Sequence, residues 1–398
     1  MDQAGNACLS VVEWLHANCA EGCTTGAMTG AAANGHLSVV EWLSTNRSEG
    51  CTSAAMNDAA GGGHLRLAQW LHENRAEGCT KKAMDNAAGG GHLSVVEWLS
   101  TNRSEGCTTA ALESAAAGGH LAVVRWLHEN RYIECTPSAM RSAMKNAAWG
   151  GHLSMVEWLY ANRPVIGGEH CTITHEALDY AAGGGHVSVM EWLHGNTICR
   201  NLPIWARDGD AAGIEVAETR SSDSMVLAAG NGHLAAVEWL HYNKLEGCHM
   251  DGRAMDFAAL GGNLPVVEWL HANRREGCSW HAMDFVVKRG YLSIVEWLHR
   301  NRNKVKVSGG SLEYSSEALE DAVYHGHLPV LEWLAENDFE KFQAKILPDD
   351  EDIGLHKIIG GANLLGHYEN CNMAAIRWVL ANTQSCMINR IPCCGCSW

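Results

Sequence analysis

A tryptophan followed four positions later by an asparagine recurs twelve times along the chain, and this register constrains the fold more than any other feature. The first five tryptophans are spaced 28 residues apart, and several later intervals are longer. A fixed period of this length indicates a repeat protein, in which each unit packs only against its neighbours. The pairs are Trp14/Asn18, Trp42/Asn46, Trp70/Asn74, Trp98/Asn102, Trp126/Asn130, Trp158/Asn162, Trp192/Asn196, Trp239/Asn243, Trp269/Asn273, Trp297/Asn301, Trp333/Asn337 and Trp378/Asn382.

The charge balance argues against nucleic acid as a partner. The chain carries 45 acidic and 29 basic residues, a formal net charge of −16. Affinity for DNA or RNA depends largely on Lys and Arg side chains that neutralise phosphates. The start, MDQAGNACLS, has neither a basic segment nor a long apolar one, and no apolar run reaches the ~20 residues of a membrane span. We expect an intracellular, cytoplasmic protein that binds neither nucleic acid nor a membrane.

The segment Cys79–Gly106 is the most regular copy of the unit. Thr80 has the side chain of a helix N-cap, and small apolar residues then recur at one-turn spacing. Three consecutive glycines end this pattern, which therefore predicts a short helix A. After His92, a wide apolar face around Glu97 predicts a second helix, B. Asn102 falls at the end of helix B, where we expect it to form a left-handed C-cap.

Each unit is expected to be a helical hairpin, because a link of only about five residues forces consecutive helices to run antiparallel. Ordering such a unit costs on the order of 40 kcal/mol of conformational freedom, whereas burying one tryptophan returns about 5 kcal/mol. A lone hairpin therefore cannot fold. The predicted fold class is all-α, a helical-hairpin repeat solenoid of about eleven hairpins that begins in a half-repeat at Leu9–Asn18.

The sequence AAGGGHLSVVEWL at residues 87–99 resembles the ankyrin repeat, and similar motifs recur from about Leu9 to Asn382. Members of that family carry Thr-Pro-Leu-His before the double alanine, whereas this chain has KAMD at residues 82–85, so the usual Thr–His hydrogen bonds are not expected. The unit is also about five residues shorter than the family's, which removes most of the β-hairpin finger. The resemblance implies a partner-binding surface formed by helices A and the short loops between repeats.

Four insertions interrupt the repeats, at residues 163–171, 197–223, 303–315 and 338–354. We expect insertions to emerge along an edge of an array, where binding loops are common. The longest separates a first array, residues 1–196, from a second, residues 224–382, and is either a collapsed repeat or a hinge. Residues 383–398 form a Cys-rich tail that we expect to be disordered.

Cysteine and histidine are abundant, but their spacing argues against a metal or catalytic site. Equivalent residues on stacked helices lie roughly 8–10 Å apart, beyond the reach of about 7 Å that a disulfide allows, so we expect reduced, buried thiols. Too few ligands converge in any one repeat to bind zinc, and no nucleophile or phosphate-loop motif is present. We expect no metal, no cofactor and no enzymatic activity. The repeated positions hold Cys23, Cys51, Cys79, Cys107, Cys135, Cys171, Cys248 and Cys278, and two series of histidines, one beginning at His36 and the other at His16.

Helix A carries the exposed positions that vary most between repeats, and these predict where a partner binds. An aromatic side chain supplies desolvated area and a neighbouring charge supplies orientation, a combination typical of interface hot spots. We expect a protein partner with a basic patch to bind more tightly to residues 172–321 than to residues 1–162. The candidate residues are Lys81, Lys82 and Asp85; Asp179 and Tyr180; Asp256 and Phe257; Asp284 and Phe285.

Three functional hypotheses follow. The favoured one is a non-enzymatic protein–protein interaction scaffold or adaptor. The second is the recognition arm of a larger assembly, such as a ubiquitin-ligase adaptor or a kinase-linked protein. The third is a truncated repeat product without selected function, which the half-repeat start permits. The sequence names neither the partner nor the oligomeric state.

Overall fold

The computed structural model describes residues 9–18, 23–130, 132, 136–163, 165–166, 169–170, 176–198, 223–243, 252–346 and 373–382. Across these residues the chain is helical apart from four strands of two residues each. It divides into two compact units, Met1–Ser221 and Ser222–Trp398. The predicted all-α class and its arrangement in repeated helical hairpins are confirmed.

The first unit begins with a single helix B, α1 (Leu9–Asn18), as the half-repeat predicts. Six hairpins follow, in each of which helix A precedes helix B. They are α2 (Thr25–Ala33) with α3 (Leu37–Asn46), α4 (Ser53–Gly61) with α5 (Leu65–Asn74), α6 (Lys81–Gly89) with α7 (Leu93–Asn102), α8 (Thr109–Ala117) with α9 (Leu121–Glu129), α10 (Pro137–Trp149) with α11 (Leu153–Ala161), and α12 (Ala177–Gly183) with α13 (Val187–Leu193). A π-helical turn, His194–Ile198, extends α13, and β1 (Val165–Ile166) pairs antiparallel with β2 (Glu169–His170).

The second unit contains four described hairpins and two further helices. The hairpins are α14 (Ser224–Gly230) with α15 (Leu234–Tyr242), α16 (Arg253–Leu260) with α17 (Leu264–Asn273), α18 (His281–Arg289) with α19 (Leu292–Asn301), and α20 (Ser316–His325) with α21 (Leu328–Asn337). The further helices are α22 (Phe339–Ile346) and α23 (Met373–Asn382), and β3 (Cys278–Ser279) pairs in parallel with β4 (Val307–Ser308).

Two of the predicted insertions contribute regular structure to the second unit. The 303–315 insertion supplies β4, and the 338–354 insertion supplies α22, which packs on α20 and α21. Most of the 197–223 insertion and the whole 383–398 tail lie outside the described residues. The hinge and the disordered tail therefore stay predictions.

The hairpin α6–α7 shows how the sequence produces the core. Thr80 caps helix A through its hydroxyl, which accepts a 3.3 Å hydrogen bond from the backbone N–H of Lys82. Helices A of consecutive hairpins pack against one another, and each helix A also packs on its own helix B. The buried side chains fall on one stripe of each helix, as the periodicity predicts: Ala83, Met84, Ala87 and Ala88 from helix A, and Val95, Val96 and Leu99 from helix B.

Helix A ends in a Schellman motif that requires glycine. The His92 N–H donates to the Ala87 carbonyl at 2.9 Å and the Gly91 N–H donates to the Ala88 carbonyl at 3.1 Å. Gly91 takes a left-handed φ of +75°, and a Cβ there would lie 2.4 Å from Nδ1 of His120 in the next repeat. Both the backbone turn and the packing of the following repeat therefore exclude a side chain.

The prediction that Asn102 forms a left-handed C-cap is wrong. Asn102 is the last residue of α7, and the following Arg103 is extended, with a φ of −131°. The equivalent Arg47 has a φ of −132°. The Asn102 side-chain amide donates to the Trp98 carbonyl, one turn back, at 2.9 Å. Eleven asparagines of the register make this bond, at 2.8–2.9 Å. The four-residue Trp–Asn spacing thus lets the amide give a second hydrogen bond to the tryptophan carbonyl in the last helical turn, which at Trp126, Trp158 and Trp239 also accepts the backbone N–H of the same asparagine.

The tryptophans of helices B join each repeat to the one before it. His72 of α5 meets the edge of Trp98 of α7, with ring centroids 5.4 Å apart. Seven such edge-to-face pairs link consecutive repeats at 5.0–5.4 Å, six through histidine and one through Tyr160. Where Ser100 replaces the histidine, Tyr132 stacks on Trp126 instead, at 5.5 Å. The second histidine series therefore has a packing role.

We predict that Trp98→Ala lowers the free energy of unfolding by about 3 kcal/mol, the lower end for tryptophan truncation because the ring is half-buried. Trp14→Ala is the matched control, since Trp14 holds the same repeat position but is 61% exposed. That change should cost less than about 0.5 kcal/mol. Urea unfolding followed by circular dichroism measures both, and an equal loss in the two variants would contradict the packing role of the ladder.

Candidate functional site

Three of the predicted binding carboxylates are buried. Asp85, Asp256 and Asp284 are only 9%, 6% and 7% exposed. The expectation that these helix A residues are exposed is therefore wrong. Their burial removes these carboxylates from the surface that a partner could contact.

Each buried aspartate bonds to the start of helix A in the next repeat. Asp85 accepts hydrogen bonds from the backbone N–H of Thr108 at 2.7 Å and from its hydroxyl at 2.8 Å. Asp256 accepts from the Ser279 N–H at 2.8 Å, and Asp284 from the Ser315 N–H at 2.6 Å. At the equivalent position, Asn57 accepts from the Thr80 N–H at 2.9 Å and its amide donates to the Thr80 hydroxyl oxygen at 3.1 Å. A negative side chain near a helix N-terminus also meets the positive end of the helix dipole. These contacts join consecutive repeats.

The outward surface of helix A is set by two positions, which we call the outer row. They lie six and three residues before the residue that immediately precedes helix B, as Asn86 and Gly89 do before His92. The second position of one repeat meets the first position of the next. A Cβ on Gly89 would lie 2.9 Å from Cβ of Ser114, and a Cβ on Gly230 would lie 3.4 Å from Cβ of Phe257.

In most of the first unit the outer row holds small or polar residues. Its first position is occupied by Asp58, Asn86 and Ser114 in three consecutive repeats, and Asn86 and Ser114 are exposed. The last two repeats differ, because Trp149 of α10 meets Tyr180 of α12 edge to face at 6.3 Å. Trp149 is 47% exposed and Tyr180 37%. Trp149 is not among the predicted residues, although a tryptophan where neighbouring repeats carry alanine or glycine is a signal visible in the sequence.

In the second unit the outer row is apolar over three repeats. Leu227, Phe257 and Phe285 occupy its first position in α14, α16 and α18, and Leu260 occupies the second position in α16. Phe257 is 41% exposed, while the other three are half-buried. The row turns polar at the next junction, where Nζ of Lys288 lies 3.4 Å from the Asp321 carboxylate.

Trp280 extends this surface and was also missed from the sequence. It is 38% exposed and its ring lies against that of His281, with centroids 3.6 Å apart. His281 in turn stacks on Phe285, at 5.8 Å. The structure therefore brings Phe257 and Phe285 together in the second unit, while Tyr180, half-buried Asp179, and exposed Lys81 and Lys82 belong to the first.

The first histidine series caps the preceding repeat. The imidazole Nε2 of His64 donates to the Ala33 carbonyl at 3.2 Å, and that of His152 donates to the Ala117 carbonyl at 2.9 Å. Ala33 and Ala117 are the last residues of their helices A. Each ring thus satisfies a helix-terminal carbonyl one repeat back, a role that favours structural use over metal binding.

The five described cysteines are free thiols, and burial raises the pKa of four of them, Cys51, Cys79, Cys107 and Cys278. Burial raises the pKa of Cys107 to about 11 and that of Cys278 to about 12. Neighbouring aspartates, Asp85 and Asp256 respectively, raise these pKa values further. Protonated thiols are poor nucleophiles and poor metal ligands. Cys135, Cys171 and Cys248 lie outside the described residues.

Neither a metal centre nor a membrane span is evident in the described ranges. No group of three or more His, Cys, Asp or Glu side chains there is placed to hold a metal ion. None of the helices within those ranges combines the length and the apolar character needed to cross a membrane.

We predict that Asp85→Ala lowers the free energy of unfolding by about 1–3 kcal/mol, because the Thr108 N–H and hydroxyl lose a buried acceptor. Hydrogen exchange should also become faster at the Thr108 amide. Asn86→Ala, one residue away and exposed, is the control and should stay within about 0.5 kcal/mol of the wild type. Unchanged protection at Thr108 would show that the cross-repeat bond does not hold this junction.

We predict that Cys278 reacts with iodoacetamide at pH 8 at least about 100-fold more slowly in the folded protein than in urea, since only the thiolate reacts. Because its folded pKa is raised to about 12, increasing the pH to 10 should leave most of the thiol protonated. Cys107, whose pKa is about 11, should react before Cys278 as the pH rises. Mass spectrometry resolves the two sites, and early labelling of native Cys278 would contradict its burial.

Comparison with known proteins agrees with this geometry. The family model described as ankyrin repeats (many copies) matches residues 51–99, 112–159 and 225–271. Among solved structures, the crystal structure of the human ASB11 ankyrin repeat domain is 19% identical, covers 42% of this chain and 82% of that chain, and has a TM-score of 0.34. No curated protein matches the chain significantly. Ankyrin repeats are generally non-enzymatic and serve as protein–protein interaction modules. The three matched segments therefore contain ankyrin repeats, and the other described hairpins share their order of helix A followed by helix B.

Proposed function

We propose that the chain is a non-enzymatic scaffold or adaptor that binds a protein partner on the outer row of the second unit. The observation that carries the proposal is the 41% exposure of Phe257. The same position holds Asp58, Asn86 and Ser114 in three consecutive repeats of the first unit. A large ring exposed where other repeats present short polar side chains is a feature that binding explains and stability does not.

The apolar row gives the partner a rigid surface. Phe257 and Phe285 stand on helices whose other faces are packed into the core, so their backbones are fixed before binding. Leu260 lies between them along the row. Aromatic anchors on rigid elements lose little conformational entropy on association, which favours their use as hot spots.

The partner is proposed to carry a basic patch. The buried aspartates no longer support this, because they are engaged at the junctions between repeats. The support comes instead from α20, where Glu317 and Asp321 lie one helical turn apart beside the apolar row. The chain also has a formal net charge of −16, which would attract a cationic partner during encounter.

The first unit offers further contacts in the proposal. Lys81 and Lys82 are exposed at the start of α6. Tyr180 and Trp149 form their own exposed aromatic pair, next to Lys145, whose ammonium lies 5.7 Å from the Tyr180 ring centroid. We propose these residues as contacts independent of the second unit. The cytoplasm is the proposed location, because the free thiols of the described residues suit a reducing compartment.

We predict that Phe257→Ala reduces partner binding by about 30-fold, the loss expected when a hot-spot ring worth about 2 kcal/mol is truncated. Proximity labelling with the full chain in cells would identify proteins enriched by the wild type. Those that bind the outer row should then bind purified Phe257→Ala protein about 30-fold more weakly in titrations.

The matched control is Asn86→Ala, which changes the same outer-row position in the first unit. It should leave partner binding unchanged. Because Phe257 is 41% exposed, its truncation should move the melting temperature by no more than about 2 °C. Partners that bind both variants as well as the wild type would contradict a docking site on the second unit.

A further inference from the structure

The outer row of the second unit repeats at a spacing that selects the conformation of its ligand. Leu227, Phe257 and Phe285 occupy equivalent positions on α14, α16 and α18, and Asp321 occupies the same position on α20. These helices A pack directly on one another in sequence. Packed helices have axes roughly 8–10 Å apart, so the row presents one side chain about every 8–10 Å.

A polyproline-II segment matches that spacing. It advances 3.1 Å per residue with three residues per turn, so every third side chain points the same way at intervals of about 9.3 Å. Side chains on one face of a β-strand recur at about 6.6, 13 and 20 Å, so a strand cannot place a side chain at every step of the row and matches it at best at every second step. An α-helix returns to the same face after seven residues, at about 10.5 Å, so the spacing of the row does not by itself exclude a helical ligand.

The width of the row disfavours a helix. The apolar row is flanked on one side by polar or charged residues four positions before Leu227, Phe257 and Phe285, namely Asp223, Arg253 and His281. An α-helix with its side chains is about 10–12 Å across and would press apolar surface onto these groups. A polyproline-II chain is narrower and keeps its backbone solvated, so it can follow a row one side chain wide.

The end of the row at α20 carries charged side chains. Glu317 and Asp321 of α20 lie one turn apart at the step after Phe285, and Lys288 pairs with only one of them, Asp321, at 3.4 Å. This end of the row therefore carries more negative than positive charge. A guanidinium can bind carboxylates through two parallel hydrogen bonds, which makes arginine the complementary residue at this step.

We propose that the second unit binds a polyproline-II segment with an apolar side chain at every third position and an arginine three residues beyond the last of them. The proposal rests on the proposed function, since it names the ligand of that same docking surface. The three apolar side chains lie against Leu227, Phe257 and Phe285, and the arginine lies at Glu317 and Asp321. The partner's chain crosses the helices A of the second unit.

The test uses fluorescein-labelled synthetic peptides and the full chain in anisotropy titrations. One probe is Leu-Pro-Pro repeated three times and followed by arginine, and a second has the reverse order. A peptide of the same composition with its leucines adjacent, and an alanine-rich helical peptide with leucine at every seventh position and a terminal arginine, are the controls. We expect one of the two periodic probes to bind at least about 10-fold more tightly than both controls.

Substitutions in the chain locate the peptide-binding site. Phe257→Ala should weaken the periodic probe at least about 10-fold, whereas Asn86→Ala should leave it unchanged. Glu317→Gln should lower its affinity and flatten the salt dependence, since one of the carboxylates facing arginine loses its charge. Tighter binding of the helical or regrouped peptide, an effect of Phe257→Ala no larger than that of Asn86→Ala, or no binding below about 1 mM would overturn the proposal.

These outcomes separate the ligand from the site. If cellular partners depend on Phe257 but the periodic probes do not bind, the docking surface stands and its polyproline-II ligand is wrong. If neither partners nor probes depend on Phe257, the proposed function itself fails.

Discussion

The junction between consecutive repeats is the constraint on which the rest of the structure depends, because a single hairpin is too small to fold alone. Three kinds of side-chain contact cross that junction. The histidine before helix B bonds to the end of the preceding helix A, an aspartate or asparagine bonds to the start of the following helix A, and an imidazole meets the next tryptophan edge to face. All three sit at fixed repeat positions, which leaves the outer row free to vary.

The fold could be read from the sequence because its signals are local and repeated. Helix A and helix B follow from apolar periodicity, and Thr80 was identified as an N-cap from its place before that pattern. The role of Asn102 was not recovered, since a capping asparagine can act through a left-handed backbone or through its amide. The sequence does not distinguish these, whereas the 2.9 Å bond to the Trp98 carbonyl does.

The site was predicted less well, for a reason that lies in helix geometry. Asp256 and Phe257 are adjacent, so they point about 100° apart around the helix, and only one of them can face outward. Variation between repeats predicted that both do. The structure buries the aspartate against Ser279 and exposes the ring, because a carboxylate can satisfy the next helix start and a phenyl ring cannot. Trp149 and Trp280 have no neighbouring carboxylate in sequence, so the pairing of an aromatic ring with a charge does not identify them, whereas their departure from the repeat does.

Gly91 and the imidazole of His120 that lies against it belong to different repeats. Each repeat carries both a glycine and a histidine at these positions. A duplicated repeat therefore places its histidine against the glycine of the repeat before it and its glycine against the histidine of the repeat after it, so both new boundaries are complementary. Growth or loss of whole units leaves the chemistry of every boundary intact, whereas a single substitution on either side does not. In the second unit, Tyr291 and Asn263 take the place of the ring opposite glycines 262 and 232, so units exchanged between the two parts of the chain would meet partners of a different size.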